Sequence, residues 1–444
     1  MARIFKNDKC IMKTKKIKVV WICHFSNKKV RNKIRFSPLY FRRFLSLLKK
    51  EHWIKRQDFA VWNSNAIREF EKYDDIDLTV IFPYSGIKGK KQTFSINGIK
   101  YICFRSEDDY FFPFLRNKLF HTFEKEYVHN RKLISSEISQ INPDIVQIIG
   151  AENPYYSIAA LDISDEIPSI VSLQTLMSDP DYLANFPISQ ASYEYRSGVE
   201  RQIIRKSRYI GSKSERFKSL VWSQIKKEAI FLNISIAVGV EIDEEPSDKE
   251  YDFVYFAGNI DKACDYAIEA FALAYAKHPD LTLNVSGSYR HDYKAQLDKR
   301  LCELGIQRQV FFTGSKATHD KVIAQIKKSR FALLPLKVDL ISGTIREAMA
   351  CGLPVVTTVT PATPNLNVER ESVLLSKKGD FQAMADNMLL LLDDEEFATT
   401  IRKNAFITVR ERYSNERYMQ QWRQAYHTII DNVKNGNPFS EEIV

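Results

Sequence analysis

Short apolar runs alternate with longer amphipathic stretches over most of this chain, most regularly in its second half. There Phe253–Gly258, Leu281–Gly287, Val310–Gly314, Phe331–Pro335, Pro354–Thr358 and Ser372–Ser376 read as strands. Stretches between them, such as Asp265–Lys277 and Tyr293–Leu304, have helical spacing. Apolar strands joined through helices build a parallel, doubly wound sheet with both faces covered. Several of these strands end in Gly, which lines the carboxyl edge, where ligands bind in such sheets, with small residues. The first half repeats the pattern with longer insertions. Ile17–His24, Leu78–Pro83, Asp144–Gly150 and Ser169–Thr175 read as strands, and Asn63–Glu71 and Asn117–Gln140 as helices. Residues 239–250 carry six acids and a proline and read as a linker. The expectation is an α/β protein of two Rossmann-like, doubly wound domains. Residues 1–15 form a mobile basic N-terminus, 16–240 the first domain, 241–250 the linker, 251–415 the second domain and 416–444 a C-terminal helix. Tyr418, Trp422, Tyr426 and Ile430 recur in that helix at helical spacing.

The 444 residues are enough for two domains of ordinary size. No apolar run approaches the length of a membrane span and no signal peptide is evident, so a cytoplasmic location is expected. Six scattered cysteines without a C-x-x-C pair argue against a disulfide framework or a zinc site and fit a reducing compartment. The net charge of +10 is unevenly placed. Residues 1–50 hold sixteen Lys or Arg against one acid, Asp8, and the rest of the chain is net acidic. Such a local excess suits an anionic membrane surface, an acidic substrate or nucleic acid, or is a solvated tail. Residues 28–57 form a basic, aromatic-rich insertion after the first strand. Within Pro38–Ile54, Tyr40, Phe41, Phe44, Leu47 and Leu48 recur near helical spacing among Arg42, Arg43, Lys49 and Lys50. That pattern is either an interfacial helix on an anionic membrane or a core-facing helix with a basic outer face.

The densest chemistry lies in Asp339 to Val356, DLISGTIREAMACGLPVV, which reads as loop, helix, turn and strand. Ser342 can cap the helix, and Gly343 leaves its first amides open to another group. Gly352 is the expected left-handed terminator, and Pro354 stops the helix from resuming. Unpaired N–H groups and the helix dipole favour an anion at such a start. Asp339 and Glu347 flank it with seven residues between them. Glu347 lies roughly 6 Å along the axis from the first free amide, within reach of a ribose beside a bound pyrophosphate.

This segment resembles the E-x7-E signature of the retaining GT-B glycosyltransferases of the family 4-like group. The resemblance covers residues 251–430 well and 16–240 loosely. It implies a GT-B fold, with the two domains facing a central cleft. It also implies that Asp339, an Asp where the family has Glu, contacts the donor sugar. Ser342, Gly343 and Thr344 would hold the diphosphate and Glu347 the ribose. Phe256-Ala257-Gly258-Asn259-Ile260-Asp261-Lys262 resembles the family's next phosphate-binding stretch. Lys262 would neutralise the diphosphate, or it is a solvated lysine at a helix start. Asn259 stands where Arg is usual, and Arg346 is positioned in sequence to compensate. Thr313-Gly314-Ser315-Lys316 resembles the base-binding loop, or is a tight turn that needs Gly. His24 and Glu152, after the first-domain strands, would face the cleft and contact hydroxyls of donor or acceptor. His24 could equally be a structural histidine. The family's last helix commonly crosses back onto the first domain, which residues 416–444 would suit; alternatively they close the second domain.

The activity implied is transfer of a sugar from a nucleotide-diphosphate donor, UDP-linked by expectation, to a lipid-linked or polysaccharide acceptor with retention. Leaving-group stabilisation by helix amides and Lys262 needs neither a metal nor a cofactor. Asp75-Ile76-Asp77 and Asp179-Pro180-Asp181 are not at strand ends in the nucleotide-binding half. Nucleic acid is not an expected partner. Two rivals fit the same residues: a GT-B sugar-nucleotide epimerase, and a non-catalytic nucleic-acid- or membrane-binding protein on a degenerate GT-B scaffold.

Overall fold

In the computed structural model of the protein, residues 16–37, 57–109, 126–180, 182, 188–234, 242–243, 247–259, 263–337 and 343–439 are described, Asp109 and Asn259 by their backbone alone. They build two sheets. The first holds β1 (Ile17–Ile22), β2 (Ile76–Pro83), β3 (Lys91–Ile96), β4 (Ile99–Phe104), β5 (Ile145–Ile149), β6 (Ser169–Ser172), β7 (Tyr209–Gly211) and β8 (Ile230–Leu232). Their spatial order is β3-β4-β2-β1-β5-β6-β7-β8, and every neighbouring pair is parallel except β3 and β4. The second holds β9 (Tyr251–Asn259), β10 (Leu283–Ser288), β11 (Val310–Phe312), β12 (Ser329–Leu333), β13 (Val355–Thr358) and β14 (Leu374–Ser376), all parallel, in the order β11-β10-β9-β12-β13-β14.

Both sheets reverse direction of growth beside their first strand, between β1 and β5 and between β9 and β12. At such a switch point adjacent crossovers leave on opposite faces, and the crevice past the strand ends is open to a ligand. In the first sheet Ile22 pairs with both Ile81 and Ile148, so the chain after β1 and the chain after β5 emerge side by side. Val19–Ile22 of β1 and all of β5 are buried, which explains their largely apolar sequences, with Gln147 the one polar residue among these buried positions.

The structure differs from the sequence pattern in the first half. β3 and β4 form an antiparallel edge hairpin that the apolar runs do not predict. Its turn is Asn97-Gly98, with φ of 50° and 84°, the chemistry of a primed two-residue turn. β7 and β8, three residues each, are too short to stand out as runs. The helix expected over Asn117–Gln140 is instead Val128–Ile141. Tyr127 just before it has φ of 48°, and Glu107 accepts hydrogen bonds from the amides of His129 and Asn130, so the helix is capped from a distant residue. Residues 117–125 of that expectation lie outside the described residues.

Of the basic stretch 28–57, Lys28–Lys33 is a short helix capped by Asn27, and Phe36 bridges to Ile87. The expected amphipathic segment Pro38–Ile54 lies outside the described residues, as does 1–15. The last helix, Asn415–Asn435, lays Tyr418, Met419, Trp422, Ala425, Tyr426 and Ile429 on one buried face. That face meets the first sheet: Trp422 lies 5.2 Å from Trp21 of β1, and Tyr426 stacks on Phe70 at 6.3 Å. The Tyr426 hydroxyl accepts from Trp21 Nε1 at 2.8 Å and donates to Gln147 of β5.

Candidate functional site

The helix Gly343–Ala350 begins past the carboxyl end of β12 and returns through Gly352 into β13. Its C-terminus closes as a Schellman motif. Leu353 N–H reaches Ala348 O at 3.0 Å, Gly352 N–H reaches Met349 O at 3.1 Å, and Gly352 has φ of 69°. At the other end Gly343 is exposed, and a Cβ added there would meet open space. Thr344 is half-buried, and Ile345, Arg346 and Glu347 are buried. The helix start is therefore accessible to a ligand while Glu347, just over one turn in, faces inward.

Burial raises the pKa of Glu347, and the charges of His319 and Arg346 oppose that shift. His319 Nε2 lies 3.5 Å from Glu347 Oε1. His319 opens the helix His319–Ile326, and its backbone N–H donates to Asp58 Oδ2 of the first domain at 2.9 Å. Arg346 turns another way, its guanidinium carbon 5.9 Å from the ring centre of Tyr413. Gly258 is exposed near the end of β9, beyond the buried Phe253–Phe256, with its carbonyl accepting from Ser288 Oγ. Gly314 has φ of 68°, and its carbonyl accepts from Gly287 N–H and Ser286 Oγ, both at 3.3 Å. Ser315 beside it is exposed. Asp339, Ser342, Lys262 and the side chain of Asn259 lie outside the described residues.

On the first sheet, His24 and Glu152 sit at the carboxyl ends of β1 and β5. His24 is enclosed by Phe59, Tyr155 and Tyr156 at ring separations of 5.6, 6.1 and 5.5 Å. Burial lowers its pKa to about 4, and its Nδ1 has no hydrogen-bond partner among the described residues. Glu152 follows Gly150, whose φ of 88° only glycine holds easily. A Cβ at Gly150 would lie 2.7 Å and 2.8 Å from the two Glu152 carboxylate oxygens and 2.8 Å from the Tyr156 hydroxyl. Glu152 Oε1 accepts from Asn153 Nδ2 at 2.9 Å, and Oε2 is buried without a partner among the described residues. Burial raises this carboxyl to about 7.

Two neighbours were not visible in the sequence. Arg196 donates to the Glu152 carbonyl at 2.9 Å. Glu200, its pKa also raised to about 7 by burial, accepts from the amides of Met177 and Ser178 at 2.9 Å. Asp58, Arg31 and His319 were likewise missed; only the turn Thr313-Gly314-Ser315-Lys316 before His319 hinted at that loop. Glu347 with His319 thus forms one cluster on the second sheet, and His24 with Glu152, Tyr155 and Tyr156 another on the first. Among the described residues no group of three or more His, Cys, Asp or Glu could hold a metal ion, and no helix is long and apolar enough to cross a membrane.

Two switch-point sheets with clusters on their carboxyl edges, tied by a returning last helix, define the GT-B fold. The same fold is found in sucrose-phosphate synthase from Thermosynechococcus elongatus, with a TM-score of 0.65 and 15% identity over 93% of this chain and 98% of that one. Anabaena HepE, solved in complex with UDP and glucose, superposes with a TM-score of 0.62 and 15% identity over 93% and 99% of the two chains. Residues 240–407 match the family described as glycosyl transferases group 1, and the second domain is a glycosyl transferases group 1 domain. N-acetyl-alpha-D-glucosaminyl L-malate synthase of Bacillus anthracis is 29% identical over 133 residues, 30% of this chain and 34% of that protein. The capsular polysaccharide biosynthesis glycosyltransferase CapM of Staphylococcus aureus is 30% identical over 84 residues, 19% and 22% of the two chains. The match thus spans about a third or less of these relatives' length.

Proposed function

We propose that the chain transfers a sugar from a nucleotide-diphosphate donor, UDP-linked, to a lipid-linked or polysaccharide acceptor, with retention and without a metal ion. The observation that carries this reading is the buried Glu347 carboxylate behind the open start of Gly343–Ala350, at the switch point of the second sheet. Membership of that domain in glycosyl transferases group 1 supports it, as does the UDP complex of HepE.

In this reading the amides of Gly343 and Thr344, with Lys262, meet the charge that develops on the leaving diphosphate. Glu347 accepts from the ribose and Asp339 orients the sugar, so both fix the donor rather than attack it. Gly258, Asn259, Gly314 and Ser315 line the nucleotide, and Arg346 adds positive potential from behind the helix. His24 and Glu152 receive hydroxyls on the acceptor side. Thermal denaturation with UDP, GDP, ADP or CDP tests this. One nucleotide should stabilise the chain clearly, a ligand at 100 times its dissociation constant contributing about 2.7 kcal/mol. Glu347→Ala should abolish both that shift and turnover with the fold intact; full activity in the variant would sink the assignment.

The basic excess of residues 1–50 supports a peripheral contact, through 28–57, with an anionic membrane surface where a lipid-linked acceptor would lie. Co-sedimentation with phosphatidylglycerol vesicles should be strong at low salt and lost at high salt. Equal binding to neutral vesicles would remove the electrostatic part of the proposal.

A further inference from the structure

Asp58 is mounted firmly on the first domain. Its neighbour Phe59 exchanges two backbone hydrogen bonds of 3.1 Å with Ser26, and Arg31 ties Ser26 Oγ and Asp58 Oδ1 together. The Arg31 and Asp58 side chains are only 10% and 11% exposed. From that mount Asp58 reaches the other domain twice. Its own N–H donates to Ala317 O at 3.2 Å, and its Oδ2 accepts from His319 N–H at 2.9 Å. The helix His319–Ile326 needs such a partner, because Thr318 occupies its N-cap position with extended backbone yet makes no side-chain capping bond. A carboxylate from the first domain thus does what a local cap usually does, satisfying an orphan N–H and facing the positive end of the helix.

The residue held this way is the one that meets Glu347. The His319 and Glu347 side chains are 14% and 11% exposed and 3.5 Å apart, and His319 Nε2 has no hydrogen-bond partner among the described residues. At that distance the contact is electrostatic rather than a formed hydrogen bond. A buried carboxylate accepts best from two ribose hydroxyls while ionised and oriented, and among the described residues the His319 imidazole is placed against it to favour that state.

We infer that His319 is a positioning residue for Glu347, held in register from across the cleft by Asp58, so that recognition of the nucleotide's ribose depends on the first domain. This rests on the reading of Glu347 as the ribose carboxylate. The test compares binding of UDP and 2′-deoxy-UDP to the full chain by titration calorimetry. The unaltered protein should prefer UDP by roughly tenfold or more, the worth of a hydrogen bond to a charged acceptor. Glu347→Gln should lose the preference. His319→Gln and Asp58→Ala should each lose most of it while still binding 2′-deoxy-UDP as before. Asp58→Asn, which keeps an acceptor for the His319 amide, should retain more of the preference than Asp58→Ala. If the unaltered protein shows no preference, the ribose reading falls and this inference with it. A preference lost in Glu347→Gln but intact in both His319→Gln and Asp58→Ala overturns this inference alone. So does an equal weakening of both nucleotides in those two variants, which is what a merely structural contact would give.

Discussion

Glu152 is buried, its Oε2 has no partner among the described residues, and burial raises its pKa to about 7. The folded state therefore prefers the protonated acid. Below the ordinary Glu value of about 4.3 both folded and unfolded chains are protonated, and the group costs no charge burial. As pH rises from there to about 7, the unfolded chain releases its proton first and the folded state loses stability; above about 7 the full penalty is present. Glu200, raised to about 7, acts with the same sign. His24 acts oppositely: lowered to about 4, it stays neutral in the fold while the unfolded chain takes up a proton below about 6.5. Glu152→Gln removes one of these terms. It should raise the urea-unfolding free energy at pH 8 by about 1–3 kcal/mol and change it little at pH 4. Stability that rises while turnover falls would mark Glu152 as a group kept for hydroxyl contact at the expense of the fold; an unchanged pH 8 stability would mean the carboxyl is not desolvated as described.

The helix Gly343–Ala350 stops where it does because Gly352 turns left-handed beneath a packed side chain. At φ of 69° a Cβ on Gly352 would lie 2.7 Å from Phe406 Cζ. Gly352→Ala should therefore lower the melting temperature by the equivalent of about 1–3 kcal/mol, from backbone strain plus displacement of Phe406. Nucleotide-induced stabilisation should shrink with it, since the same turn anchors the end of the helix carrying Glu347. A variant that melts and binds like the original would separate the turn from the site. This terminator was legible from residues 352–354 because a helix stop is local chemistry. The β3–β4 hairpin carried an equally local signal in Asn97-Gly98, yet β3, KQTFSI at a sheet edge, is mostly polar and does not read as a run. The helix start at Val128 was illegible for a different reason, its capping carboxylate, Glu107, lying far upstream. The same limit hid His319 and Asp58. Glu347 stood out through its segment, whereas its partners come from other elements and from the other domain.

The last helix decides whether the two sheets unfold together. It continues directly from the second domain, yet its apolar face is buried against β1 and the helix Val61–Phe70. Around that face Arg423 pairs with Asp75, Lys434 with Asp144, and Tyr209 with Asn432. The ion pairs are at most part-buried and contribute little each. The aromatic face is different, since Trp422, Tyr426 and Trp21 are almost wholly buried. Trp422→Ala should remove about 3–5 kcal/mol through lost contacts and the cavity left behind. Tyr426→Phe deletes no packing but leaves Trp21 Nε1 and Gln147 short of a partner, which should cost about 1–3 kcal/mol. The two losses should fall on the first sheet although both residues lie at the far end of the chain. Urea unfolding of the original should be one transition, because releasing either sheet exposes the seam. In Trp422→Ala the first-domain transition should move to lower urea and separate from that of the second, with nucleotide shifting the later one more than the earlier. A single transition that merely moves would mean that the cleft contacts, Asp58 with His319 among them, hold the domains together without the helix.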